Sequence, residues 1–202
     1  MRLPILPQHI YAFDYPGSTE ELVDLVKTLP INANTNNFKS DEAFLLEREE
    51  FASLKKWCME CVDELCEDVG FGFKLKITQS WFNRADEGMW HHRHAHPNAL
   101  ISGIFYLTPS GSSTWFSMDS IWPNASQGPV SYLPFYSWLP KPNMEVIHQH
   151  PTTPGQLVLV PAWLDHSVNE HDLPDPRYTI AFNTFPTGDL GRLDVYSQLT
   201  LP

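Results

Sequence analysis

Basic residues are scarce in this chain: 13 Lys and Arg stand against 24 Asp and Glu, a formal net charge of -11. A surface so acidic repels a phosphate backbone, so nucleic acid is excluded as a general partner. Cysteine is nearly absent. Three residues are an odd number and too few for a disulfide scaffold, which suits a reducing compartment. No run of 18 apolar residues occurs, so no membrane span is expected. The opening Met1-Arg2-Leu3-Pro4-Ile5-Leu6-Pro7 lacks a continuous apolar core and a small-residue cleavage site. The expectation is therefore no signal peptide and a cytoplasmic location. Without secretion, the sequon Asn124-Ala125-Ser126 is expected to be idle. Internal repeats and low-complexity segments are also missing.

What is present describes a folded globular domain. Hydrophobic residues make up 42% and aromatics 13% of 202 residues, enough for one domain with a full core. Residues 1–73 read as a helical support region, 74–187 as a β core and 188–202 as a C-terminal tail. Residues 10–13 suggest a short strand. Ser18-Thr19-Glu20-Glu21 offers an N-cap and an acidic first turn for a helix to about Thr28, stopped by Pro30. A longer helix is expected over residues 47–68, where Leu54, Cys58, Cys61 and Leu65 form one apolar stripe. That stripe also disposes of the Cys58-Met59-Glu60-Cys61 motif. A zinc site would need a second cysteine pair, so these cysteines read as core residues.

From Lys74 the periodicity changes to two. Residues 74–78 alternate, residues 99–107 are almost wholly apolar, and further strands are expected at 114–118, 130–135, 144–150, 156–160 and 177–184. Turn residues separate them, among them Thr108-Pro109-Ser110-Gly111, Pro140-Lys141-Pro142-Asn143 and Pro151-Thr152-Thr153-Pro154-Gly155. Residues 119–128 read as a long loop. Many short strands, with 18 prolines largely in the connections, imply a mainly β fold, an antiparallel sandwich or barrel with helices on one side.

The histidines carry the chemistry. His94-Ala95-His96-Pro97 runs straight into the apolar strand, and an i, i+2 pair on an extended strand points two imidazoles the same way. His166 follows far downstream, and Arg177 comes shortly after it. Two histidines, a distant third and an arginine suggest a metal with a carboxylate co-substrate beside it. If the chain stays extended from His94 to Tyr106, then His94, His96, Ser102, Ile104 and Tyr106 share one face; a bulge would break that register. On the late strand Arg177, Thr179, Ala181 and Asn183 share one face, and Tyr178, Ile180 and Phe182 the other. An arginine facing a cavity needs an anion, and a ligand carboxylate supplies one through a two-pronged hydrogen bond.

Thr78-Gln79-Ser80-Trp81-Phe82-Asn83, His94-Ala95-His96-Pro97-Asn98 and Ser102-Gly103-Ile104-Phe105-Tyr106-Leu107 resemble the 2-oxoglutarate and Fe(II)-dependent oxygenases. So do Gly155-Gln156-Leu157-Val158-Leu159-Val160-Pro161, His166-Ser167-Val168 and the segment from Arg177 to Asn183. The resemblance is to a prolyl-hydroxylase-like subfamily of marine bacteria and phages, over roughly residues 45 to 200. It implies a double-stranded β-helix, the cupin-like jelly-roll barrel, and a cytoplasm that would be the host's for a viral protein. It implies His94 and His166 as iron ligands, with His96 where the wider superfamily writes an aspartate. It implies Arg177 as the residue binding the far carboxylate of 2-oxoglutarate, assisted by Tyr106, with Thr179, Ser102 and Asn183 as further pocket residues. The implied reaction couples oxidative decarboxylation of 2-oxoglutarate to hydroxylation by oxygen of an unidentified substrate, with a peptidyl proline suggested by analogy alone.

Alternatives stay open at this level. His92 and His94 form an overlapping pair, and His96 could stand behind the metal with water as third ligand. His148-Gln149-His150 is a second His-x-His, read as the edge of a strand. His9 and His171 read as surface histidines. Trp81, Trp90 and Trp163 fit either a substrate mouth or the core. Asp165 is poorly placed to orient its neighbour His166. Two other functions fit the same residues: a non-catalytic jelly-roll module binding metal or small acids, and a three-histidine dioxygenase without 2-oxoglutarate. Open jelly-roll edges would also allow a homodimer.

Overall fold

A computed structural model describes residues 10–118 and 145–202. In chain order the elements are β1 (Tyr11–Asp14), α1 (Glu20–Thr28), β2 (Ile31–Ala33), β3 (Phe38–Ser40), two 3₁₀ turns, α2 (Ala52–Val69), β4 (Lys74–Ala85), β5 (His91–His94), β6 (Ile101–Tyr106) and β7 (Ser113–Met118). They continue with β8 (Glu145–Pro151), β9 (Gln156–Pro161), β10 (Asp165–Val168), β11 (Arg177–Leu190), a 3₁₀ turn and β12 (Leu199–Leu201). The strand expected at 130–135, the loop at 119–128, the turn at 140–143, the sequon, His9 and the first seven residues lie outside the described residues.

The strands form two antiparallel sheets. The larger runs β1-β9-β6-β11-β4-β3-β2, with β12 paired to β11; the smaller runs β5-β10-β7-β8. From β4 onward the chain passes back and forth between them, which is the double-stranded β-helix arrangement expected. Among the described residues the two sheets do not join into one closed barrel. The first 73 residues add helices and also three strands, β1, β2 and β3, to the larger sheet.

Each face of the larger sheet has its own role. Its outer face packs on α2: Leu54, Cys58, Val62 and Leu65 meet Phe82, Phe105, Tyr178, Ile180 and Phe182 in one buried cluster. The Cys58–Cys61 stripe thus lies in the core, and all three cysteines are free. Its inner face, with Ile104, Tyr106, Val158 and Val160, meets Phe116 and Leu164. The alternation along β11 sorts residues between these two environments as expected. Gly103 is fixed by packing, since an added Cβ would lie 2.3 Å from the Phe182 ring.

Helix α2 starts later than residue 47 because two 3₁₀ turns, Leu45–Glu47 and Glu49–Phe51, precede it and bury Leu45, Leu46 and Phe51. It ends where Gly70 turns left-handed at φ 76°. Among the described residues no helix is long and apolar enough to cross a membrane.

Two local irregularities position the site. On β4 the register with β11 passes from Asn183↔Gln79 to Thr184↔Ile77, leaving Thr78 unopposed. This bulge reverses the parity of the strand. Ser80 and Phe82 turn to the buried side, while Gln79, Trp81 and Asn83 line the opposite side. On β5, His94 pairs with His166 but His91 pairs with Val168, so the register shifts between them.

Candidate active site

The smaller sheet brings His94 and His166 together as directly opposed residues of antiparallel strands. His96 lies just beyond the end of β5, where its backbone N–H donates to the Ala162 carbonyl at 2.8 Å. The ring centroids lie 4.4 Å apart for His94 and His166, and 5.1 Å for both pairs involving His96. One ring nitrogen from each falls within 4.8 Å of the others, a spacing that a single ion can bridge.

The expected extended run from His94 to Tyr106 is not what delivers these residues. The chain turns at Pro97 and Asn98, with Asn98 at φ 55°, and crosses from the smaller sheet to the larger. Proline and a left-handed asparagine favour that turn over continued pleating. Ser102, Ile104 and Tyr106 nevertheless face inward, because β6 sets their parity independently.

Hydrogen bonds fix the tautomer of all three rings. Nδ1 of His94 lies 2.8 Å from the His92 carbonyl oxygen, and Nδ1 of His166 lies 3.1 Å from the Leu164 carbonyl oxygen. Nδ1 of His96 lies 2.5 Å from Oδ1 of Asn183, which also receives the Ser102 hydroxyl at 2.9 Å. A carbonyl oxygen only accepts, so each Nδ1 carries the proton and each Nε2 keeps its lone pair. Among the described residues nothing hydrogen-bonds to these three Nε2 atoms.

Burial removes charge from the cluster. It pushes His94 down to about 4, with His96 adding repulsion, and drives His166 well below the usual imidazole range. His96 is lowered for the same reason, partly offset by its bond to Asn183. His91 is driven down to about 2 by burial and by His94 and its neighbours. Neutral imidazoles are the form a metal requires.

Arg177 opens β11 and is 5% exposed. Burial lowers it to about 10, so it remains cationic at neutral pH, and no carboxylate counters it among the described residues. It shares a narrow inner chamber of about 40 Å³ with His94, His96, His166, Tyr106 and Thr179. The Tyr106 hydroxyl lies 2.8 Å from Thr114 Oγ1, and burial raises that phenol to about 12. Ser102 and Asn183 stand behind His96 rather than beside Arg177.

An outer cleft of about 370 Å³ adjoins the chamber, with Lys39, Asp41 and Gln79 among its walls. Trp81, Asn83 and His91 border both spaces together with His94 and His96. Trp81 thus takes the mouth position and packs 5.6 Å from His96 between centroids. Trp163 packs on the inter-sheet cluster and Trp90 is 43% exposed. His148 and His150 sit on β8, which among the described residues is the edge of the smaller sheet, as the sequence suggested.

Three features of the site escape the sequence. His91 stacks on His94 at 4.5 Å, and only the β5 register shift turns it inward. Asp165 is buried and pairs with Arg93 at 2.5 Å, away from its neighbour's imidazole. His171, expected at the surface, is fully buried at 0% exposure. Its backbone accepts from Gly88 N–H and donates to the Met89 carbonyl, which draws it under the β4–β5 loop.

A double-stranded β-helix that gathers three imidazoles and a buried arginine in one chamber defines the class of non-haem metal oxygenases. Residues 79–183, slightly more than half of the chain, match the family described as "Putative 2OG-Fe(II) oxygenase". The chain belongs to that family: it is a dioxygenase that uses Fe(II) and 2-oxoglutarate. No curated protein matches the sequence significantly. Solved structures share the fold. SnoK, a non-haem α-ketoglutarate-dependent carbocyclase from nogalamycin biosynthesis, superposes with a TM-score of 0.63 at 12% identity, over 90% of this chain and 81% of its own. HygX from Streptomyces hygroscopicus, with nickel, 2-oxoglutarate and hygromycin B bound, gives 0.58 at 13% identity over 89% and 84%. The viral collagen prolyl hydroxylase of Paramecium Bursaria Chlorella virus-1, as its 2-oxoglutarate complex, gives 0.56 at 12% identity over 87% and 94%.

Proposed function

We propose that His94, His96 and His166 hold the ferrous ion, and that Arg177 anchors the distal carboxylate of 2-oxoglutarate. The observation that carries this reading is the pairing of three unprotonated Nε2 atoms with a buried guanidinium that has no acidic partner among the described residues, in one chamber. Both halves fit their groups. Three neutral imidazoles suit Fe(II) and leave its two positive charges uncancelled, which favours a dianionic co-substrate. A buried cation without a counterion is costly until an anion arrives.

Bound there, iron and 2-oxoglutarate would react with dioxygen, one oxygen atom going into succinate as carbon dioxide leaves and the other into a hydroxyl group on a substrate C–H bond. The protein's share is positional. Asn183, and the carbonyls of His92 and Leu164, hold the three rings by their Nδ1 protons. Arg177 orients the co-substrate, with Tyr106 and Thr179 along the same wall. Ser102 serves the co-substrate pocket indirectly, through Asn183. Ile104, Val168 and Ala181 add apolar surface to the chamber, which limits water near the reaction. The substrate enters by the outer cleft and meets the metal past Trp81, Asn83 and His91. A polar small molecule or an extended peptidyl side chain fits that cleft. The chain acts as one oxygenase domain in a reducing cytoplasm, consistent with its three free cysteines.

An anaerobic titration tests this reading. Fe(II) plus 2-oxoglutarate should give a visible charge-transfer band, and oxygen should then yield succinate. His166→Ala should lose iron binding and the band. Arg177→Met should keep iron and bind 2-oxoglutarate weakly. Normal succinate formation by His166→Ala would mean that the metal sits elsewhere.

A further inference from the structure

The guanidinium of Arg177 is held by a serine. Its Nη1 donates to Ser112 Oγ at 2.5 Å, and both residues are buried, at 5% and 3% exposure. Ser112 Oγ lies 2.6 Å from Ser110 Oγ, and Ser110 Oγ lies 2.9 Å from Nδ1 of the fully buried His171. His171 Nε2 in turn lies 2.7 Å from the Asp175 carbonyl oxygen.

Chemistry fixes the direction of this chain. The Asp175 carbonyl only accepts, so Nε2 carries the His171 proton, and in the neutral ring Nδ1 is an acceptor. Ser110 therefore donates its hydroxyl proton to His171. Its oxygen is left to accept the Ser112 hydroxyl, and it also accepts the Ser112 backbone N–H at 3.1 Å. Ser112 then presents a lone pair to Arg177, which can only donate. Every proton is committed from the guanidinium to the backbone carbonyl.

The frame around the relay is equally specified. The Ser110-Gly111-Ser112 turn sits against the loop after β10 so closely that a Cβ on Gly111 would lie 2.1 Å from Asp172 Oδ1. The backbone of His171 bonds to Gly88 and Met89, and Thr152 Oγ1 donates to the Ser112 carbonyl at 2.8 Å. Three loops at one end of the sheets thus close around the side chain that grips Arg177.

We propose that Ser112, Ser110 and His171 are positioning residues for the co-substrate. They fix one edge of the Arg177 guanidinium so that its remaining N–H groups meet a carboxylate in the inner chamber. The proposal rests on the reading of Arg177 as the anchor of 2-oxoglutarate.

Calorimetric titration of 2-oxoglutarate into the Fe(II)-loaded protein without oxygen tests it. Ser112→Ala removes a hydrogen bond to a charged group and should raise the dissociation constant about tenfold. His171→Phe should do the same through Ser110, with Fe(II) affinity kept in both variants. In an Arg177→Met background, Ser112→Ala should cause no further loss, an outcome that a general packing role does not predict. Thermal unfolding checks that the variants fold; if His171→Phe does not, Ser112→Ala carries the test alone. Wild-type affinity in Ser112→Ala, with affinity lost in Arg177→Met, would overturn the relay and spare the anchor. Wild-type affinity in Arg177→Met would overturn both.

Discussion

Asn183 Oδ1 is bonded at once to His96 Nδ1 at 2.5 Å and to the Ser102 hydroxyl at 2.9 Å. One amide oxygen thereby locks the tautomer of His96. Thr78, unopposed in the bulge across from Asn183, donates its hydroxyl to the Asn183 carbonyl at 3.3 Å and secures the same position.

Asn183→Leu should therefore weaken Fe(II) binding by about 10- to 100-fold, the usual effect of removing a partner from a ligating imidazole. Anaerobic metal titration measures it. Unchanged affinity would show that the His96 tautomer needs no help from Asn183.

His94 belongs to two sets of three histidines, one with His96 and His166, the other with His91 and His92. His96 and His166 are the more buried partners, and both have Nδ1 committed to an oxygen. His92 Nδ1 is buried without a hydrogen bond among the described residues. His96→Ala should thus cost more than tenfold in Fe(II) affinity, whereas His91→Ala should cost less than about threefold. The reverse order would move the metal to the second set.

The metal-free protein should lose stability as pH falls. An imidazole held near 4 in the fold, as in His94, against about 6.5 in the unfolded chain, lets the unfolded state bind more protons below pH 6.5. Its contribution is nil above that value and unfavourable below it. His91, His96 and His166 are lowered too, so the effects add in direction. Between pH 7 and 5 urea denaturation should show a loss of at least about 2 kcal/mol, reduced when metal is bound. A flat profile would contradict the burial of these rings.

Gly103→Val tests the packing beneath the site. The added side chain must displace Phe182, which is fully buried between β6 and α2. Overpacking of this kind costs about 1–3 kcal/mol or more, visible as a lowered thermal midpoint. A midpoint equal to that of the natural chain would mean the sheet yields there without cost.

Much of the fold is legible in the sequence because local periodicity reports burial. The α2 stripe of Leu54, Cys58, Cys61 and Leu65, and the alternation along β11, each follow from which side meets the core. The site is legible only in part. His94, His96, His166 and Arg177 stand out by type and order, but His91, Ser112 and His171 do not. His91 depends on a register shift, and His171 on backbone bonds to a loop remote in sequence.

By itself the sequence determined which residues are able to ligate, anchor and pack, since side-chain chemistry and periodicity are local properties. Only the tertiary structure decided which of them meet. Strand register and the β4 bulge are set by hydrogen bonds between distant segments, and one residue of slip in either aims a side chain at the opposite face.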